Sequence, residues 1–116
     1  MQQKNLALIG RLDGPAVAPA NVVAQAGTYR QAVRLSWAHR RVHFATLRQL
    51  AAETGMTAQH VTDYLHNDDK PTRRDLPGQW IAPFEAFVGN TIVTQWLAAQ
   101  AHLTVLEQLQ AERMAA

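Results

Sequence analysis

The sequence predicts an all-α fold, a compact bundle of short helices preceded by an extended N-terminal arm, and three observations carry that prediction. Helix-start signals recur at regular intervals, glycines stand where helices should stop, and no segment alternates apolar and polar residues for the length of a strand. Residues 1–27 are the arm, where Gly10, Gly14, Pro15, Pro19 and Gly27 punctuate small residues without sustained periodicity. Beyond it, Thr28 with Gln31, Thr46 with Gln49 and Thr104 with Glu107 each have the capping-box spacing. Thr57 and Thr91 are further N-cap candidates, and Gly55 and Gly89 suit the left-handed position that ends a helix. The expected helices run over about 29–43, 47–54, 58–66, 83–88, 91–102 and 105–114. Residues 28–103 make the main domain, and 104–116 form a separate C-terminal helix.

The length of 116 residues suits one domain, and 47% hydrophobic with 17% charged residues is an ordinary globular composition. There is no cysteine, which removes disulfides, thiolate metal sites and a cysteine nucleophile. Ser36 is the one serine, so serine-hydrolase chemistry has almost nothing to work with. No glycine-rich phosphate loop or pair of catalytic carboxylates is present, and an enzyme is not expected. No apolar run reaches the roughly 18 residues of a membrane span, and the stretch at 6–10 is short for a signal-peptide core, so the expected location is the cytoplasm. Charge is unevenly spread: residues 1–50 hold seven bases to one acid, and residues 51–116 hold four bases to eight acids. Such a basic half fits a polyanion or an acidic partner.

The informative segment is 47–66. Two short helices crossing steeply need an apolar anchor (Leu50), a small residue at the contact (Ala51) and a glycine in the tight turn (Gly55). They also need an apolar plug at the corner (Met56) and a buried inner face on the second helix (Val61, Tyr64). All six stand at the required spacing, and Thr54 is the one residue more polar than usual for its place. The segment resembles the helix-turn-helix of the lambda-repressor/Cro-like regulators, and residues 28–116 resemble small prophage-type regulators of that class. A helix before the unit and two or more behind it agree with that order.

The resemblance implies a sequence-specific transcriptional regulator that binds double-stranded operator DNA as a homodimer, with the second helix in the major groove. Its outward residues Thr57, Ala58, Gln59, His60, Thr62 and Asp63 would then meet base edges. Gln59 suits adenine, Ala58 a thymine methyl, and Asp63 a cytosine amine. Affinity would come from Arg30, Arg34, Arg41, Arg48, Lys70, Arg73 and Arg74 on phosphates. At 100° per residue, Arg41 and Arg34 fall about 20° and 40° from Arg30, forming one stripe on the first helix. Against this stand Asp63, Asp68 and Asp69, acids with no base before Lys70. They favour a different class, a non-enzymatic module that binds an acidic protein through its basic first helix.

Residues 67–83 hold three prolines and no alternation, which argues against a β-wing. His39 and His43 share a helix face, but Arg40 and Arg41 between them repel a cation, so no metal is expected, nor any cofactor or small-molecule ligand. Trp37, Trp80, Trp96, Phe84 and Phe87 are spread among the helices and belong to the core. In the last helix Val105, Leu106 and Leu109 form an apolar strip suited to a dimer interface. Its competing place is against its own core or the arm at residues 6–9.

Overall fold

A computed structural model of the chain describes residues 9–11 and 14–115, with the backbone alone described at 9–11 and at Val105. Two short strands, Ile9–Arg11 (β1) and Gly14–Val17 (β2), precede helices Ala20–Val23 (α1), Tyr29–Ala38 (α2), Leu47–Thr54 (α3) and Ala58–Tyr64 (α4). A 3-10 turn over Gly78–Trp80 then leads into Ile81–Val88 (α5), followed by Ile92–Gln100 (α6) and Val105–Ala115 (α7).

The body is helical as expected, but the arm needs correction, because β1 and β2 pair as an antiparallel hairpin. The hairpin continues into the body through the backbone: Ala16 N–H donates to the Gly89 carbonyl (2.9 Å) and Thr91 N–H donates to the Ala16 carbonyl (2.9 Å). Pairing between main chains at the end of two helices needs no alternation of side chains, so no periodicity announces it. The Gln95 amide acts as another strand residue, accepting from Ala18 N–H (2.9 Å) and donating to the Ala18 carbonyl (2.8 Å). Trp96 Nε1 donates to the Ala26 carbonyl at 2.9 Å. Ala18, Val22 and Val23 are buried with Ile92 in a small core of their own. The second half of the arm is therefore packed against α6.

The main core gathers one face of each central helix: Val33 from α2, Leu50 and Ala51 from α3, Val61 and Tyr64 from α4, Phe84 and Val88 from α5, and Val93 from α6. Trp37, Trp80 and Phe87 pack around it, and Trp37 stacks on Phe87 with centroids 6.2 Å apart. Inside the protein, Ser36 and Asn90 form a polar hub. Asn90 Oδ1 accepts from Ser36 Oγ (2.7 Å) and Ile92 N–H (3.2 Å), while Nδ2 donates to the Ser36 (2.9 Å) and His39 (3.3 Å) carbonyls. Nearly every valence of the buried amide is filled, as burial requires. Glu85, also buried, accepts from Thr94 N–H (2.8 Å) and Thr94 Oγ (2.7 Å), placing a carboxylate at the positive end of α6.

Helix ends differ from expectation where side chains take over the terminal carbonyls. α2 stops at Ala38 rather than near residue 43. Arg40 caps this end: its guanidinium lies 4.3 Å over Trp37 and donates to the carbonyls of Trp37, His43 and Ala45. Arg41 therefore leaves the expected stripe, its N–H instead donating to the Val88 carbonyl (2.7 Å). Against it Gly89 turns at φ 82°, where a Cβ would meet Arg41 Cβ at 2.9 Å. α5 begins two residues before Pro83, which sits in the first turn where its missing N–H costs no helix bond.

α6 closes through His102, which adopts φ 54°. Leu103 N–H donates to the Ala98 carbonyl (3.0 Å) and His102 N–H to the Ala99 carbonyl (3.1 Å), the paired bonds of a Schellman ending. α7 then departs with every described side chain exposed, Leu106 at 77% and Leu109 at 49%. These two leucines therefore do not fold back onto their own core. The side chain of Val105, like residues 6–8 and the side chain of Ile9, lies outside the described residues.

Candidate nucleic-acid interface

α3 opens with a full capping box, Thr46 accepting from Gln49 N–H (3.2 Å) while Gln49 Oε1 accepts from Thr46 N–H (2.8 Å). It closes at Gly55 with φ 86°, whose N–H donates to the Ala51 carbonyl at 2.9 Å. Leu50, Ala51, Met56, Val61 and Tyr64 are all buried at the junction of α3 and α4. Thr54, the polar exception, has a local purpose. Its hydroxyl donates to the Leu50 carbonyl (2.6 Å) and accepts from Met56 N–H (3.3 Å), so it ties the end of α3 to the turn.

Of the six expected base-contact residues, Thr57, Ala58, Gln59 and Thr62 stand exposed on the outer face of α4. His60 is half-buried, its ring 6.4 Å from Tyr64. Asp63 is different: its side chain is 16% exposed, accepting from Arg73 (3.0 Å) and Arg74 (2.9 Å). The outward face of α4 thus presents short, neutral, hydrogen-bonding and methyl-bearing groups.

Behind α4 the charges are organised in a way the sequence reading did not anticipate. Arg30, only 12% exposed, donates to the carbonyls of Asp63 (2.8 Å), His66 (3.3 Å), Asp68 (3.3 Å) and Arg74 (2.7 Å). It also pairs with Asp69 and Asp75, each at 3.3 Å. Arg34 pairs with Asp69 (3.1 Å) and donates to the His66 carbonyl (3.0 Å). Arg73 bridges Asp68 (2.9 Å) and Asp63 (3.0 Å). Four arginines expected on phosphates face four aspartates, and the cluster pins the loop after α4 onto α2. Hydrogen bonds from these arginines hold the carboxyls of Asp63, Asp68 and Asp69 below the usual carboxylate range. Tyr29 completes the anchorage, donating to the Leu76 carbonyl (2.6 Å), and burial pushes its hydroxyl up to about 12.

Three of the seven expected phosphate contacts stand apart from this network. Arg41, Arg48 and Lys70 are exposed, and among the described residues their side chains make no ion pair or hydrogen bond. Arg48 occupies the second position of α3, where unpaired N–H groups already favour an anion. Arg74, half-exposed at 55%, keeps part of its guanidinium toward solvent.

Among the described residues no group of three His, Asp or Glu side chains could hold a metal ion, and no helix is long and apolar enough to cross a membrane. Sequence reasoning passed over Phe44, which lies in the loop between α2 and α3 and is 79% exposed. An aromatic between a run of basic residues and a capping threonine was the available signal. Comparison of the chain with protein families, curated proteins and solved structures returns no match.

Proposed function

We propose that this chain is a sequence-specific DNA-binding protein, a transcriptional regulator of prophage or bacterial type that binds operator DNA as a homodimer. The observation that carries the reading is the α3–α4 unit: two short helices joined at a left-handed Gly55, six junction positions filled as the motif demands, and an exposed neutral face on α4. In this reading Thr57, Ala58, Gln59 and Thr62 meet base edges. Arg41, Arg48 and Lys70, with Arg74 partly available, neutralise phosphates. The Arg30–Arg34–Arg73 network sets the position of α4 from behind and contributes little phosphate contact. Leu106 and Leu109 on α7 serve the dimer, which two half-sites about one helical turn apart require. The protein works in the cytoplasm by occupancy of its site.

A second reading, a module that binds an acidic protein, would have to use Arg41, Arg48 and Lys70, because Arg30 and Arg34 of the first helix are already paired with aspartates. Fluorescence anisotropy of a labelled random-sequence duplex, titrated at several salt concentrations, separates the two. Binding at low salt that falls steeply as salt rises supports the DNA reading; no binding at low salt supports the module.

A further inference from the structure

Several apolar surfaces stay uncovered among the described residues, including a groove between α1 and α6 lined by Val23 and Trp96, and two of them lie on parts of the chain with opposite charge. One is a groove of about 200 Å³ between the α2–α3 loop and α5, whose lining includes Arg41, Val42, Phe44, Glu53 and Phe87. Its most exposed apolar member is the Phe44 ring, which meets the His43 ring edge-on at 6.3 Å. Bare aromatics beside an apolar floor are characteristic of interface centres. The other surface is α7, where Leu106, Leu109 and Met114 are all exposed. α7 is 11 residues long, and isolated helices shorter than about 12–15 residues are marginal in water, so it needs a surface to lie on.

We propose that α7 of a second copy of this chain lies in the groove, with Leu106 and Leu109 against Phe44, Val42 and Phe87. The exchange is reciprocal about a two-fold axis, so one operation covers both surfaces on both copies. Charge favours the match. The groove carries Arg40 and Arg41 with Glu53 as the one acid in its lining, whereas α7 carries Glu107 and Glu112 with Arg113 as its one base. Pairing α7 with α7 instead leaves the Phe44 groove bare and gathers the glutamates of two copies. The hydrogen-bonded turn at residues 101–104 fixes how α7 departs from its own α6, and α7 stays uncovered there. This inference rests on the homodimer of the proposed function and does not depend on DNA binding.

The natural chain has no cysteine, which makes the test clean. Sedimentation velocity should give a dimer for the wild type and the single-chain mass of 12.9 kDa for both Phe44→Glu and the double variant Leu106→Glu/Leu109→Glu. Phe44→Glu should keep its circular dichroism, because the ring is exposed. An equimolar mixture of the two monomeric variants should regain a dimer, since one of the two exchanges remains intact. Under oxidation, Phe44→Cys mixed with Leu109→Cys should form a disulfide between chains. A Phe44→Glu protein as dimeric as wild type overturns the proposal in favour of α7 self-pairing. So does cross-linking of Leu109→Cys with itself in preference to the mixture. A monomeric wild type, or a disulfide within one chain carrying both cysteines, also overturns it. The monomeric variants should still bind non-specific duplex; loss of DNA binding with the dimer intact would instead count against the DNA reading alone.

Discussion

Gly55 and His102 occupy the same left-handed backbone region, but only one is a glycine. At Gly55 no heavy atom lies within 4 Å of where a Cβ would stand, so a substitution there is opposed by backbone conformation alone. Gly55→Val should therefore cost about 1–2 kcal/mol. It should lower the thermal midpoint by several degrees and weaken duplex binding with it; an unchanged midpoint would show that the turn tolerates a β-branched residue. His102 runs the argument in reverse. Its side chain is exposed, so His102→Gly relieves the left-handed strain without losing packing and should raise stability in urea by roughly 0.5 kcal/mol. Gln59, exposed on the outer face of α4, is the residue best suited to reading an adenine. Gln59→Ala should cost about 1–3 kcal/mol at one operator base pair while leaving random-sequence binding unchanged. Equal losses on both kinds of DNA would remove α4 from the major groove.

The loop between α4 and α5 has the same dependence on single side chains, spread over a larger element. Arg30 holds it through three of its carbonyls and two carboxylates, and grips the Asp63 carbonyl of α4 as well, so Arg30→Ala leaves several acceptors without their donor. The expected loss is roughly 2–3 kcal/mol in urea denaturation. Arg30→Lys should recover little of it, because an ammonium lacks the planar fork. Acid should reach the same loop. Asp63, Asp68 and Asp69 have folded-state pKa values below their unfolded ones, so their contribution is present above about pH 4 and lost as pH falls through the folded values. Stability should be level near neutrality and fall below about pH 4, and Asp68→Asn should flatten that fall. The helices from Tyr29 to Val88 were legible because their caps and stops are local: Thr46 with Gln49, Gly55, Gly89. The six junction positions of α3 and α4 were legible because helix packing imposes their spacing. What escaped was non-local. Arg34 meets Asp69 across 35 residues, and β2 meets Asn90 through backbone atoms that carry no residue signature. The early end of α2 is capped by Arg40 curling back over Trp37, a choice that competes with helix continuation and leaves no pattern in the sequence.

Across the whole molecule, pairing of arginines with aspartates, both between the basic and acidic halves and within the acidic one, decides how much positive charge remains for a polyanion. Seven side chains were expected on phosphates, but Arg30, Arg34 and Arg73 are bound to aspartates, and Arg74 is shared with Asp63. Arg41, Arg48 and Lys70 remain in the single chain; in the proposed dimer Arg41 faces the glutamates of α7, which leaves Arg48, Lys70 and the half-exposed Arg74 as the three cations for phosphates. Each phosphate neutralised on duplex DNA contributes about −0.9 to the slope of log K against log salt, so three cations give about −3 per protomer, where seven would give about −6. The two values are far enough apart to measure with anisotropy over a fourfold range of salt. A slope near the smaller value, reduced by about one in Arg48→Ala and hardly changed in Arg34→Ala, is the expected result. A slope near the larger one would mean that DNA phosphates displace Asp63 and Asp69 from their arginines on binding. The loop after α4 would then have to rearrange in the complex, and Arg34→Ala would cost as much slope as Arg48→Ala.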